Sequence, residues 1–346
     1  MREIWQVVQQ WQAEKQQVAL ATVVQVTGSS LRPEGSKLVI SSGGAIHGSV
    51  TGGCVEGAVF EEAREVLKDG APRLLSYGVT NQQAWDVGLS CGGSVQILVE
   101  SLDTPDWQAV LPPLARILAE NQLAALLTVI HGDSVGKKML VLPDGETHGS
   151  LGNRELDQEA IGNLPENWAT RLPLQITLKN GEVLFADFIV PPPRLVIIGA
   201  SHIAIPLVAL ANTLQFHTIV VDARSAFATR ERFPHAHELV VGWPADVLQQ
   251  LKLDAATCVV ALSHDDKLDN PALLFAITSP ARYIGALGSR TTNAKRLEDL
   301  RAEGAKEQDL KRIHAPVGLK IGARQPEEIA LSIMAEIVAT AHGHDG

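Results

Sequence analysis

Cysteine is scarce in this chain, three residues in 346. That excludes a disulfide scaffold and suits a reducing compartment. No C-x-x-C pairing occurs, which argues against a structural zinc site. Basic residues are outnumbered, 29 against 39 acidic, for a formal charge of −10. That balance argues against nucleic acid or an anionic membrane as the main partner. No apolar run is long enough to span a bilayer. The N-terminus, MREIWQVVQQWQAEKQQ, has neither the apolar core nor the small-residue cleavage site of a signal peptide. It reads as an amphipathic helix with Ile4, Trp5, Val8 and Trp11 on one face. The expected location is the cytoplasm. What remains is ordinary: apolar residues at 45% and charged residues at 20% describe a soluble globular protein, and its length predicts two domains.

Pro191-Pro192-Pro193 marks the boundary. Three prolines form a stiff extended spacer that neither a helix nor a central strand accepts. Residues 1–190 and 194–346 are therefore read as separate domains. The first repeats its own pattern, over about 18–100 and 123–190. Leu20-Ala21-Thr22-Val23-Val24 parallels Leu126-Leu127-Thr128-Val129-Ile130, Lys37 to Ile40 parallels Lys138 to Val141, and Gly44 to Ser49 parallels Gly145 to Ser150. Each copy continues into a helical segment, Gly57 to Lys68 or Leu156 to Asn163, and closes with two strand-like runs. The expectation is an α+β domain of two related β-β-α-β-β units, joined in one mixed or antiparallel sheet.

The copies differ in three places. The first has the long loop Gly28 to Ser36, with Ser29 and Arg32; the second has a short turn region, His131 to Ser134. The first has Thr51-Gly52-Gly53-Cys54-Val55-Glu56-Gly57 where the second has Gly152-Asn153-Arg154-Glu155. The first inserts Thr80 to Ser94, carrying Cys91-Gly92-Gly93, where the second has the tight turn Lys179-Asn180-Gly181. Features present in only one copy are not required by the shared fold, and loops on a rigid scaffold are where function usually sits. A cysteine beside glycines also fits as a small buried residue. The asymmetry favours a site. Cys258 lies in a strand run and reads as core. His47 and His148 occur in both copies, which points to a shared structural role.

After the prolines, strand, glycine turn, helix, strand and acid follow in order. Leu195 to Ile198 leads into Gly199-Ala200-Ser201-His202, and Thr218 to Val221 ends in Asp222, about twenty residues past the turn. Further alternation, through Cys258 to Leu262, Pro271 to Thr278, Tyr283 to Leu287 and Thr292 to Ala302, predicts a Rossmann-like doubly wound parallel sheet. The fold class is α/β. Ser201 stands where the second glycine of a dinucleotide fingerprint belongs; there it crowds a diphosphate or bonds to it. Polar clusters directly follow the strands: Gly199 to His202, Asp222 to Arg224, Ser263 to Asp266, and Gly288-Ser289-Arg290. They gather at the carboxyl edge of the sheet, where such folds bind ligands. Helix N–H groups and the Arg290 guanidinium suit an anion there.

The motifs TGGCVEG, LSCGG, VVDAR, ERFP, SHD, YIGALGSR and HAPVGLKIGARQPEEIALSIMAEI resemble those of the XdhC/CoxI family, and the likeness covers nearly the whole chain. It implies an XdhC/CoxI domain followed by a Rossmann domain, usually in a homodimer. It implies an accessory protein that binds the molybdenum–molybdopterin cofactor as cargo. That protein would support cofactor sulfuration with a cysteine desulfurase, then deliver the cofactor to an apo molybdenum hydroxylase such as xanthine dehydrogenase. Turnover is not required of such a chaperone.

Thiolate is a soft ligand suited to molybdenum, so Cys54 and Cys91 are the candidate metal or sulfur-handling thiols. Gly52, Gly53, Gly92 and Gly93 offer backbone N–H groups to an anion, and Glu56 is placed to bond a pterin amine. Gly199, Ser201, His202, Asp222, Arg224, Ser289 and Arg290 complete the expected cofactor-binding set. The alternatives are an NAD(P)-dependent oxidoreductase using Asp222, or a nucleotide-binding regulatory protein.

Overall fold

The computed structural model describes residues 1–28, 32–78, 93–166, 168 and 172–344. Two compact units divide between Pro191 and Pro192.

In the first unit, strand β1 (Val18–Thr27) is apolar at both odd and even positions, so both of its faces need cover. Its neighbours are β2 (Lys37–Ser41), β3 (Ile46–Gly48), β4 (Arg73–Tyr77) and β5 (Ser94–Ser101), in the antiparallel order β3-β2-β1-β5-β4. The second copy supplies β6 (Ala124–His131), β7 (Lys138–Val141), β8 (Thr147–Ser150), β9 (Leu174–Thr177) and β10 (Val183–Ile189), in the order β8-β7-β6-β10-β9. The duplication is thus two separate five-stranded sheets, not the single sheet expected. The reason lies in the two-sided apolar strands: each sheet covers one face with its own helix and the other with its twin.

Helix α2 (Glu56–Asp69) sets Val59, Ala63 and Val66 against Ala19, Ala21 and Val23. Helix α4 (Arg154–Gly162) brings Ala160 to Ala125, Leu127 and Val129. On the opposite faces, Val24 and Leu98 of one sheet meet Ile130 and Phe185 of the other. Helices α1 (Arg2–Ala13) and α3 (Pro105–Ala119) close the shared core with Ile4, Val8, Trp107, Leu114 and Ile117. Each copy therefore opens with a helix, and each has three strands before its second helix. The likeness extends to local geometry. A β-bulge falls at Val24 in β1 and at Ile130 in β6. Gly48 and Gly149 both have positive φ, and a Cβ there would sit 2.3 Å from the Lys37 carbonyl oxygen or 2.5 Å from that of Lys138.

The second unit is one parallel sheet of β11 (Arg194–Ile198), β12 (His217–Asp222), β13 (Glu238–Val241), β14 (Thr257–Ala261), β15 (Tyr283–Ala286) and β16 (Ile313–His314). Its order, β13-β12-β11-β14-β15-β16, is that of the Rossmann fold. Leu195, Ile197, Val220 and Val260 face α5 (Ala204–Thr213) and α10 (Pro326–Ala341). Val196, Ile198, Val221 and Val259 face α7 (Asp266–Thr278) and α8 (Arg290–Ala302), with the short helices α6 (Pro244–Gln250) and α9 (Glu307–Leu310) beside them. No described helix is long and apolar enough to cross a membrane.

Candidate functional site

The registers of the first sheet bring three loops to one end. Thr27 pairs with Ser94, Tyr77 with Val95, Thr22 with Lys37, and Leu38 with Gly48. The segments after Thr27, after Gly48 and after Tyr77 all leave from this end, and they are the three in which the copies differ. Cys91 and Gly92 lie outside the described residues, as does Ser29; Gly93 is buried immediately before β5.

Cys54 is partly buried, free, and packed on the apolar cluster beneath α2. Its loop is folded around Glu56. One Glu56 oxygen accepts the N–H groups of Val50, Thr51 and Gly52 at 3.0–3.2 Å and the Ser49 hydroxyl at 2.7 Å. The other accepts the Gly53 N–H at 2.9 Å, the Val55 N–H at 3.2 Å and the Thr51 hydroxyl at 2.7 Å. Burial by itself would push this carboxyl up; the bonds from Thr51 and Ser49 outweigh it and hold it at about 2. The Gly52 and Gly53 N–H groups are therefore occupied by an anion that the chain supplies itself, and the Glu56 oxygens are filled.

The second copy uses Asp157 in the same way, accepting the Ser150 hydroxyl at 2.9 Å and the Leu151 N–H at 2.7 Å. There Asn153 caps α4, which begins at Arg154. In the first copy Gly52 (φ +82°) and Gly53 (φ +120°) carry the chain through left-handed backbone, and α2 starts only at Glu56. The delay leaves Cys54 in the loop instead of in the helix. Arg32 reaches the same loop, its Nε donating to the Ser49 carbonyl at 3.3 Å.

In the Rossmann unit the expected residues do gather after the strands, with roles the sequence does not show. A Cβ on Gly199 would lie 2.5 Å from the Ser263 backbone, so glycine is required by the neighbouring strand end. Asp222 is fully buried. Its oxygens accept the Ala200 N–H at 2.8 Å and, from Arg224, the N–H and Nε at 2.9 Å and Nη2 at 2.8 Å. Burial opposes its ionisation; these bonds prevail and hold the carboxyl below its usual range. Asp222, the acid about twenty residues past the turn, thus holds the glycine turn itself. The Arg224 guanidinium also lies 4.3 Å from the Phe227 ring centre. The Ser201 hydroxyl oxygen is shut off from solvent with no hydrogen-bond partner among the described residues. His202 and Arg290 are exposed, and Ser289 caps α8 by accepting the Thr292 N–H at 3.0 Å.

Sequence reasoning missed the buried polar support of this edge. Arg296 donates to the Leu287 carbonyl at 2.9 Å and to the Asn293 amide oxygen at 2.6 Å, and sits 3.5 Å from Asp269, which accepts the Ser263 hydroxyl at 2.6 Å. An arginine in a polar helix gives no sequence signal of burial. Cys258 is buried and its thiol is pushed up to about 12 by that burial, which makes it inert. No cluster of three or more metal-ligating side chains occurs among the described residues.

Comparison with known proteins accords with this architecture. A protein of Bacillus subtilis, named as a probable subunit of xanthine dehydrogenase, is 29% identical over 331 residues, covering 94% of each chain. "Molybdenum cofactor insertion chaperone PaoD" of Escherichia coli is 27% identical over 320 residues, covering 92% of this chain and 82% of its own. A crystal structure described as a xanthine dehydrogenase from Bacillus halodurans superposes with a TM-score of 0.81 at 26% identity, covering 99% of this chain and 96% of the other. The XdhC Rossmann domain matches residues 195–337, and the XdhC and CoxI family matches residues 11–78 and 117–174. With both halves matched and the whole architecture shared, the chain belongs to the XdhC/CoxI family.

Proposed function

We propose that this protein is a carrier for the molybdenum–molybdopterin cofactor: it binds the cofactor, supports its sulfuration and hands it to a molybdenum hydroxylase. The observation that carries the reading is the asymmetry of the duplicated unit. Only the first copy uses glycines to keep a cysteine out of its helix, at the sheet end from which the two other divergent loops leave. The names of the relatives point the same way. Cys54 is then a soft ligand or sulfur acceptor for the metal end, with Cys91 as the second thiol. Because Glu56 already fills the 49–55 loop, that loop offers the thiol and not an anion pocket, and Glu56 acts as a positioning residue. Within the second unit, His202 and Arg290 are exposed at the carboxyl edge of the Rossmann sheet and form a separate candidate for binding an anionic group. The apo hydroxylase and a cysteine desulfurase are the partners this role requires, with a homodimer as the working form.

An NAD(P)-dependent oxidoreductase has less to support it, because Asp222 commits both oxygens to Ala200 and Arg224. The test is anaerobic mixing with isolated cofactor, gel filtration, and assay of bound molybdenum and pterin. Wild-type protein is expected to retain about one cofactor per site, and Cys54→Ala with Cys91→Ala to lose most of it. Absence of cofactor from the wild-type peak would refute the reading; equal retention by the double variant would remove the thiols from it.

A further inference from the structure

The bulge at Val24 brings Gln25 opposite Gln96, and Gln96 pairs onward with Ser76; one step along, Thr27 faces Ser94. Gln96 and Ser76 share a sheet face with Leu98 and Leu74, which pack toward Ile130 and Phe185. The row therefore continues the inner face of the first sheet past the end of its apolar packing. With Tyr77 it lines a cavity of about 210 Å3 in which none of the described side chains carries a charge.

The second copy is the control. Its bulge recurs at Ile130, but the equivalent row is His131, Val183 and Thr177, and Val183 joins the apolar cluster. The fold alone therefore does not call for two glutamines here. Their amides are also poorly used within the protein. Gln96 Nε2 comes only to 3.5 Å from the Ser76 hydroxyl, and the Gln25 amide has no hydrogen-bond partner among the described residues. Bulges beside binding sites commonly re-aim one side chain.

Resting on the carrier reading above, we infer that this ledge of Gln25, Thr27, Ser76, Ser94 and Gln96 receives the pterin ring of the cofactor. A carboxamide presents a donor and an acceptor side by side, which matches the amine and lactam edge of a pterin. A ledge without charge selects a neutral heterocycle over the phosphate tail. The volume, below the range of about 300–1,000 Å3 usual for drug-sized ligands, suits a single ring system. Cys54 and Tyr77 pack on the α2 side of this sheet, the face opposite Gln96 and Ser76, so the thiol and the ledge share an end of the sheet but not a face.

The test uses full-length protein, with free pterin followed by its fluorescence and, in parallel, anaerobic retention of the intact molybdenum cofactor. The variants are Gln25→Leu with Gln96→Leu, and His131→Leu at the equivalent place in the second copy. The expected result is pterin binding by wild type and His131→Leu, weakened about tenfold or more in the double glutamine variant, whose circular dichroism and Tm stay unchanged. Equal pterin binding by wild type and the double glutamine variant overturns the ledge, and molybdenum retained by both at the same time leaves the carrier reading standing. Ledge-dependent pterin binding without molybdenum retention keeps the ledge and overturns the carrier role. A double variant that fails to fold is replaced by Gln25→Leu alone, read by the same comparison.

Discussion

Glu56 shows how a single residue changes what a motif means. In the sequence it is a carboxylate two places after a cysteine in a glycine turn, and it reads as a ligand for something else. In the structure it accepts five backbone N–H groups and two hydroxyls of its own loop, and that inward direction has no signature in residue type. Its pH effect follows from the sign of its shift. The carboxyl is lowered from 4.5 to about 2 on folding, so it contributes stability that is fully present above pH 4.5 and is lost as pH falls through about 2. Allowing for solvent screening, Glu56→Gln is expected to lower stability by on the order of 2 kcal/mol at pH 6. The gap from wild type should narrow steadily between pH 4.5 and pH 2. Thermal unfolding across that range measures it, and a gap independent of pH would show that the charge on Glu56 does not hold the loop. The same substitution should reduce cofactor retention, since it frees the loop that displays Cys54.

At the scale of elements, the two copies are locked by an exchange of buried charges. Lys37 of β2 meets Asp187 of β10 at 2.7 Å, and Lys138 of β7 meets Glu100 of β5 at 2.6 Å, each lysine reaching the other copy's closing strand. Burial would push the Asp187 carboxyl up, and the Lys37 charge overrides it to hold the group below its usual range. Removing Lys37 leaves the buried Asp187 without its ion-pair partner, so Lys37→Met is expected to lose about 3–5 kcal/mol. Lys37→Met with Asp187→Leu should recover most of that loss, because desolvation and attraction nearly cancel in such pairs. Urea denaturation of the two singles and the double measures it; a double variant as unstable as the sum of the singles would show that the two side chains act independently.

The lysines are legible as a repeat in the sequence, since Lys37 and Lys138 open equivalent strands. Their partners are not, because the exchange runs between copies. Helix α3 is also missed from sequence, with Pro112 and Pro113 in its interior where prolines usually end a helix. Six buried side chains, Trp107 and Leu114 among them, hold it against that cost.

Over the whole chain, what was legible followed from periodicity. The duplication, the parallel sheet after the prolines and the gathering of polar clusters at its carboxyl edge are all properties of order along the chain. What was not legible depends on direction in space: which way Glu56 and Asp222 turn, which faces the two sheets share, and the ledge that a bulge makes of Gln25 and Gln96. The assignment of the thiol and the pterin ring to one sheet end makes a claim about the whole molecule that can be checked by division. Units 1–191 and 192–346 each have their own apolar clusters and lengths typical of independent domains. Expressed separately, both are expected to unfold cooperatively. Fragment 1–191 should bind free pterin within about threefold of the intact protein, because every residue of the ledge lies in it. Fragment 192–346 should bind none, while inorganic phosphate or pyrophosphate should still protect it against thermal unfolding if its strand edge binds anions. Pterin bound by fragment 192–346 and not by fragment 1–191 would move the head of the cofactor to the Rossmann unit, and the divergent loops of the first copy would then need another purpose.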